Sequence, residues 1–382
     1  MKTFKLLFAA ASASMLLFSC QKSVQDPTRD TTKSADLNLE KKGGVAGYVY
    51  TLSNQAAGNE VYVYSRTAAG MLDYATKIAT GGNGSGGGLG SQGALILSPN
   101  SAWLLAVDAG SNTVSTLSAD GASVVAKSTV ASGGIKPISI TMYNDIVYVL
   151  NGGGAGNITG FKLQWNGSLQ PIPGSTRPLS SAAAGPAQIS FAADGSAVVI
   201  TEKAENKIIT YKIDAQGMPG AMHSITSAHP TPFGFAVGKN NIIYVSEAAG
   251  GAPNASAVSS YYIGWDGSIS LVSGPIFAGE SAACWVVVVN NGKYLYATNT
   301  ASNTISTFAA DHTGVVSVSE AVSAQTGAGP IDAALSENSK YLYELNSGAH
   351  NIMGFAVAND GSLSTVNSVG DLPASTVGLA AK

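Results

Sequence analysis

The sequence predicts an all-β fold, a seven-bladed β-propeller with four antiparallel strands per blade and a ring closed by the C-terminal strand. Three observations carry this reading. The first is a segment that recurs seven times, a polar turn leading into a β-branched or aromatic strand with a bulky last residue. The copies are NEVYVY at 59–64, NTVSTL at 112–117, NITGF at 157–161, NKIITY at 206–211, AVSSY at 257–261, NTISTF at 303–308 and NIMGF at 351–355. Their final residues are spaced 53, 44, 50, 50, 47 and 47 apart, a period typical of blades built only from strands and turns. The second is that every copy is flanked by further strand-like runs separated by turn signals. The third is that the two ends of the repeat array complement each other.

In chain order, each repeat opens with an apolar run, often led by proline or glycine, at 93–97, 137–141, 186–191, 232–237, 285–289 and 330–335. Small apolar residues suit the crowded strand nearest the axis. Turns such as Ser98-Pro99-Asn100, Ala193-Asp194-Gly195 and Asn290-Asn291-Gly292 lead into a second strand at 103–107, 146–150, 197–200, 242–245, 294–297 and 341–343. The recurring segment is the third strand. A more polar fourth strand follows turns such as Asn166-Gly167, Asp266-Gly267 and Asp360-Gly361. The first repeat begins at Val45 with a second-type strand and lacks an inner one, whereas residues 372–379 have the inner pattern and no blade of their own. The C-terminus is therefore expected to complete the first blade and remove the open sheet edges.

The organisation expected is a leader at 1–20, a tether at 21–42 and the propeller at 43–382. Lys2 and Lys5 precede an apolar stretch at 6–18 that is too short to span a bilayer. It ends in Leu17-Phe18-Ser19-Cys20, which resembles a bacterial lipobox and implies acylation of Cys20; an ordinary cleaved leader is the alternative. The tether is polar, contains Pro27 and has no aromatic residue. The location implied is the bacterial cell envelope, with membrane contact only through the lipid. The one other cysteine, Cys284, has no disulfide partner and reads as a small buried hydrophobe.

Charged residues are only 11% of the chain, apolar residues 45%, and the net charge is −3, which excludes a charge-rich disordered protein and gives no attraction for nucleic acid. A monomer is expected. Each second strand ends close to a side chain with an amide or carboxylate: Asn54, Asp108, Asn151, Glu202, Glu247, Asn299 and Asn346. These are expected to converge on one rim. The shorter ones suit turn capping. Glu202 and Glu247, in adjacent blades, suit acid/base work or a hard cation such as Ca²⁺, which would be compatible with either catalysis or binding. Connections between blades add Arg177, His229 and Glu280. His229, Glu202, Glu247 and Arg177 supply the base, acid and cation an ester or lactone hydrolase needs. Each also has a structural alternative, as a cap or a solvated charge. The histidines have no metal-ligand spacing, so no zinc site is expected, and no cofactor is expected beyond that possible Ca²⁺. The glycine-rich run at 81–90 lacks the lysine and helix of a phosphate loop and reads as a flexible connection able to act as a lid.

Over residues 45–380 the chain resembles the lactonase family of seven-bladed propellers, which includes 6-phosphogluconolactonases and carboxymuconate-lactonising enzymes. The resemblance rests on LSPNSAWLLAVDAGSNTVSTLSADG, FAADGSAVVITEKAENKIITYKID and TPFGFAVGKNNIIYVSEAAGGAPNASAVSSY. It implies His, Glu and Arg side chains at the channel mouth, with His229, Glu202, Glu247 and Arg177 as the nearest counterparts. The chain departs from the sugar-phosphate members in its few His and Arg residues and in having no His-Pro-His segment. Two functions follow: hydrolysis of a lactone or related ester at the channel mouth, or non-catalytic binding of a protein, glycan or small envelope ligand.

Overall fold

The structure is a computed structural model that describes residues 44–382; the leader, Cys20 and the tether lie outside the described residues. Seven antiparallel sheets follow one another in chain order, each with the second strand beside the inner one and the third beside the second. The inner strands are Leu95–Leu97, Pro137–Tyr143, Pro186–Phe191, Pro232–Val237, Ala283–Val288 and Pro330–Leu335 in blades 2 to 7. In blade 1 this place is taken by Val377–Ala381, which pairs with Val45–Leu52. The C-terminal strand thus closes the ring. Blade 6 starts its inner strand at Ala283, ahead of the apolar run that marks it in the sequence, and the outer strand of blade 3 is split into Leu169–Pro171 and Arg177–Pro178.

The bulky last residue of each recurring segment packs between blades. Tyr64, Leu117, Phe161, Tyr211, Tyr261, Phe308 and Phe355 are all buried. Full burial of such a side chain is worth about 1.5–3 kcal/mol, so the repeat records a packing requirement.

A second regularity links the blades through hydroxyls. Each blade donates one hydrogen bond to a glycine carbonyl in the third-to-fourth-strand hairpin of the next blade. Tyr50 reaches Gly121 (3.2 Å), Tyr148 reaches Gly217 (2.6 Å), Ser260 reaches Gly314 (2.6 Å), Tyr296 reaches Gly361 (2.9 Å) and Tyr343 reaches Gly70 (2.9 Å). Thr116 and Thr210 make the same bond to Gly167 and Gly267. The seventh bond, from blade 7 to blade 1, completes the circuit. The donor always comes from one cross-strand pair. Tyr148 faces Gly160 and Tyr343 faces Gly354, whereas Leu105 faces Thr116 and Val199 faces Thr210. Where the second strand carries an aliphatic residue, the third strand supplies the hydroxyl.

Candidate functional site at the channel mouth

The inner strands all start at one end of the ring, where the connections between blades also run. At that end the channel is capped by the chain itself. Residues 84–92, in the glycine-rich connection, cross the axis and bond to blades 3, 4 and 6. Gln92 N donates to Ala187 O (3.1 Å) and Gln92 Nε2 to Val286 O (3.0 Å), while Ser91 Oγ donates to Ile138 O (2.7 Å). Trp285 Nε1 donates to Ser91 O (3.1 Å) and Lys203 Nζ to Gly90 O (2.5 Å). Blades 2 and 6 are not neighbours, so the Gln92–Val286 contact spans the channel. The expected flexible connection is instead a fixed cap. Asn54 holds its base, accepting from Ser85 N (2.9 Å) and donating to Gly87 O (2.6 Å). Two glycines make the close approach feasible: a Cβ on Gly84 would lie 2.0 Å from the Asn54 carbonyl carbon, and one on Gly234 would lie 2.1 Å from Gln92 Oε1.

Beneath the cap, Phe233, Cys284 and Trp285 form an apolar cluster from adjacent inner strands, packed with Ala187 and Ile331. The Phe233 and Trp285 rings lie 4.9 Å apart. A cavity of about 350 Å³ opens beside them, lined by Leu89, Gly90, Trp285, Ile331, Ser347 and Thr376. Lys203 does not line it but bonds the carbonyl of Gly90, which does, and its Nζ lies 4.7 Å from the Phe233 ring centroid. Burial lowers the Lys203 pKa to about 8; Cys284 raises it slightly, and Lys136 lowers it further. No carboxylate pairs with Lys203 among the described residues. Burial pushes the Cys284 thiol up to about 11, so this cysteine is an inert hydrophobe at neutral pH.

The residues singled out from the sequence sit elsewhere. Asp108, Asn151, Glu202, Glu247, Asn299 and Asn346 are fully buried, in place of the open rim expected; the carboxylates and the amide nitrogens bond to neighbouring chain, whereas Oδ1 of Asn151, Asn299 and Asn346 has no partner. Asp108 accepts from Asn59, Thr80 and Ser115, which tie blade 1 and its connection to blade 2. Asn151 donates to Ser132 O (3.2 Å) and Asn157, Asn299 to Thr304 and Ser306, and Asn346 to Asn351 (2.9 Å). In blade 1 the register puts Ser53 at the equivalent place, since Ser53 N bonds Glu60 O, and frees Asn54 for the cap.

Glu202 and Glu247 share no partner. Glu202 accepts from Ser180 N (2.9 Å) and from the Ser180 hydroxyl. Glu247 accepts from Ser227 (2.6 Å), Ser259 (2.6 Å), Tyr261 (3.2 Å) and His229 N (3.1 Å). Burial raises the Glu247 pKa and the four donors pull it back. Each glutamate anchors the connection that enters its own blade. Only the His229 amide reaches Glu247, because its ring lies edge-on to Phe277 at the end of an outer strand, 5.0 Å between centroids. Arg177 is in the outer strand of blade 3, donating to Gly174 O, Thr176 O and Pro219 O. Glu280 accepts from Thr304 (2.8 Å). The four side chains expected to act together are therefore not assembled at the mouth. Nor do the ring carboxylates form one cation cage: their oxygens are occupied by hydroxyls and amides, and no group of three His, Cys, Asp or Glu could hold a metal among the described residues.

Sequence reasoning missed Lys203, Trp285 and Gln92. It also missed two buried acids of blade 7. Asp332 accepts from the Ala333 amide and Leu379 N; Glu344 accepts from Thr298 (3.1 Å), and its Oε1 has no partner. Burial holds both carboxyls well above the ordinary range, and Asp332 adds to the effect on Glu344. A signal existed for Glu344. Its position carries Ala106, Val149, Ile200, Val245 and Ala297 in five other blades.

The family model "Lactonase, 7-bladed beta-propeller" matches residues 267–377. No curated protein matches the chain. Among solved structures, a protein from Lactobacillus plantarum superposes with a TM-score of 0.71 at 16% identity, covering 89% of this chain and 100% of its own. A periplasmic gluconolactonase from Pseudomonas aeruginosa gives 0.68 at 16%, covering 87% and 99%. A candidate 6-phosphogluconolactonase from Bacteroides fragilis gives 0.67 at 16%, covering 88% and 98%. At such identities the likeness speaks for the fold alone. With seven blades and closure by the C-terminal strand, the chain is a seven-bladed β-propeller, and its residues 267–377 are similar to the lactonase family of such propellers.

Proposed function

We propose that the protein is a lactonase-type hydrolase of the cell envelope that takes a small lactone or related ester at the capped mouth. The observation that carries this is Lys203, an ammonium bonded to Gly90 O beside the cavity, with no carboxylate partner among the described residues. A cation beside the cavity can polarise a carbonyl bound there and stabilise the oxyanion that forms when water adds. The apolar wall of Trp285 and Ile331 suits the carbon skeleton of a lactone. The family match and the fold shared with a periplasmic gluconolactonase support the same class. Attachment through an acylated Cys20 belongs to this proposal, and a Cys20→Ser protein that still fractionates with membranes would remove that part of it.

A second reading, a propeller that binds its ligand without turnover, is favoured by one observation. The titratable atoms of Glu202, Glu247 and His229 are engaged or packed away from the mouth, so none of them is positioned to activate water there. The purified protein assayed on a panel of five- and six-membered lactones separates the two. Hydrolysis that falls about 10²–10³-fold in Lys203→Met, the loss typical of one oxyanion donor, supports the first. Lactone binding without turnover supports the second. Hydrolysis untouched by Lys203→Met would place the chemistry elsewhere.

A further inference from the structure

The circuit of hydroxyls is over-supplied in blade 5. Tyr244 occupies the second-strand place that Tyr50, Tyr148, Tyr296 and Tyr343 use to reach the next blade, and it faces Ser260 across the strands. Ser260 makes the bond to Gly314 instead. The Tyr244 hydroxyl has no hydrogen-bond partner in the protein among the described residues, although the side chain is only 3% exposed. It opens into a cavity of about 520 Å³ between blades 5 and 6.

This cavity lies at the end of the ring opposite the capped mouth. It is built from the turns between inner and second strands and from a third-to-fourth-strand hairpin, whereas the mouth is built from the starts of the inner strands. Lys239 and Lys293 line it, and neither forms an ion pair among the described residues. Asn240 and Asn291 add two amides, and Ile242 and Tyr294 an apolar side. Its one carboxylate, Asp311, is committed to its own hairpin, where Oδ1 accepts from Thr313 N (2.8 Å), Thr313 Oγ1 (2.6 Å) and Val315 N (3.0 Å). His312 completes the rim. The corresponding cleft between blades 3 and 4 shows that these features are not a by-product of the fold. It measures about 210 Å³, is lined by Asp145, Asp194 and Asp214, and its tyrosine, Tyr148, is used up on Gly217.

We propose that the cleft between blades 5 and 6 is a second binding site, for a small carboxylate that carries hydroxyls, of the acidic-sugar class. Two unpaired ammonium groups match one carboxylate. A phenol able to donate and accept, flanked by two amides, matches vicinal hydroxyls. The apolar side accommodates the carbon face of a sugar ring.

Ligand-observed NMR titration of the intact protein with D-glucuronate, D-glucose and acetate tests this. Glucuronate is expected to bind with a millimolar Kd and the other two at least several-fold more weakly. Tyr244→Phe should weaken glucuronate several-fold without changing the melting temperature. The double variant Lys239→Gln/Lys293→Gln should weaken it at least tenfold, and Lys203→Met should leave it unchanged. Absence of glucuronate binding would overturn the proposal, as would acetate or glucose binding equally well. Binding that survives the double lysine change would overturn it too.

Discussion

Replacing Tyr148 by phenylalanine removes one hydroxyl from the circuit between blades and leaves everything else in place. The bond it makes to Gly217 O is 2.6 Å long and buried, and the ring itself is 0% exposed, so water cannot replace the lost donor. A buried carbonyl left without its partner costs about 1–3 kcal/mol. For a domain of about 340 residues the unfolding entropy is roughly 0.7 kcal/mol per kelvin near the midpoint, so the expected fall in melting temperature is about 1.5–4 °C. Tyr244→Phe is the matched control, because Ser260 makes the blade 5 bond and the Tyr244 hydroxyl makes none. Thermal denaturation, with urea unfolding as a second readout, compares the two. Equal destabilisation by both substitutions would refute the idea that these hydroxyls hold neighbouring blades together.

Three further outcomes can be checked. Glu344 holds its proton to higher pH in the fold than the ordinary carboxyl value of 4.5, so its contribution to stability is present in acid and is lost as pH rises through its folded pKa. Glu344→Gln, neutral at every pH, should therefore melt like the parent at pH 4 and above it at pH 8; a difference independent of pH contradicts this. Deleting residues 377–382 removes the inner strand of blade 1, including buried Val377 and Leu379, at about 1.5–3 kcal/mol for each of those two side chains, and leaves Val45–Leu52 as a newly unpaired sheet edge. Unchanged thermal stability would rule out closure by this strand. Gly234→Ala puts a methyl 2.1 Å from Gln92 Oε1 and 2.7 Å from Cys284 O, so it should expel Gln92 and cost about 1–3 kcal/mol. Hydrogen exchange in residues 84–92 should rise; unaltered protection there would mean that Gln92 does not anchor the cap.

The blades were legible because their cause is local. A bulky residue must fill the space between sheets once per repeat, and Tyr64 through Phe355 mark that need at a regular interval. The polar residue ending each second strand was also found, but its use was misjudged. Glutamate is long enough to reach the connection entering its own blade, and Ser180 and Ser227 wait there to be bound by Glu202 and Glu247. The mouth was not legible. Residues 84–92 cross the axis to bond with residues up to 194 positions away, and no periodic pattern encodes such a path. Lys203, one residue beyond Glu202, gained its place only when Gly90 came within reach of it. Arg177 was misplaced because the split outer strand of blade 3 carries it away from the axis.

All seven hydroxyl bonds run in the same sense around the ring, each blade a donor on one flank and an acceptor on the other. That is the grammar of a head-to-tail assembly, in which every unit presents two unlike surfaces and the chain ends only when the rotation closes. A blade so equipped is interchangeable with its neighbours at this contact, whichever strand holds its hydroxyl. New chain termini opened between any two blades would leave the full set of bonds intact, with the native ends joined through the blade they already share. Circular permutation at a blade boundary is therefore expected to keep every one of these bonds.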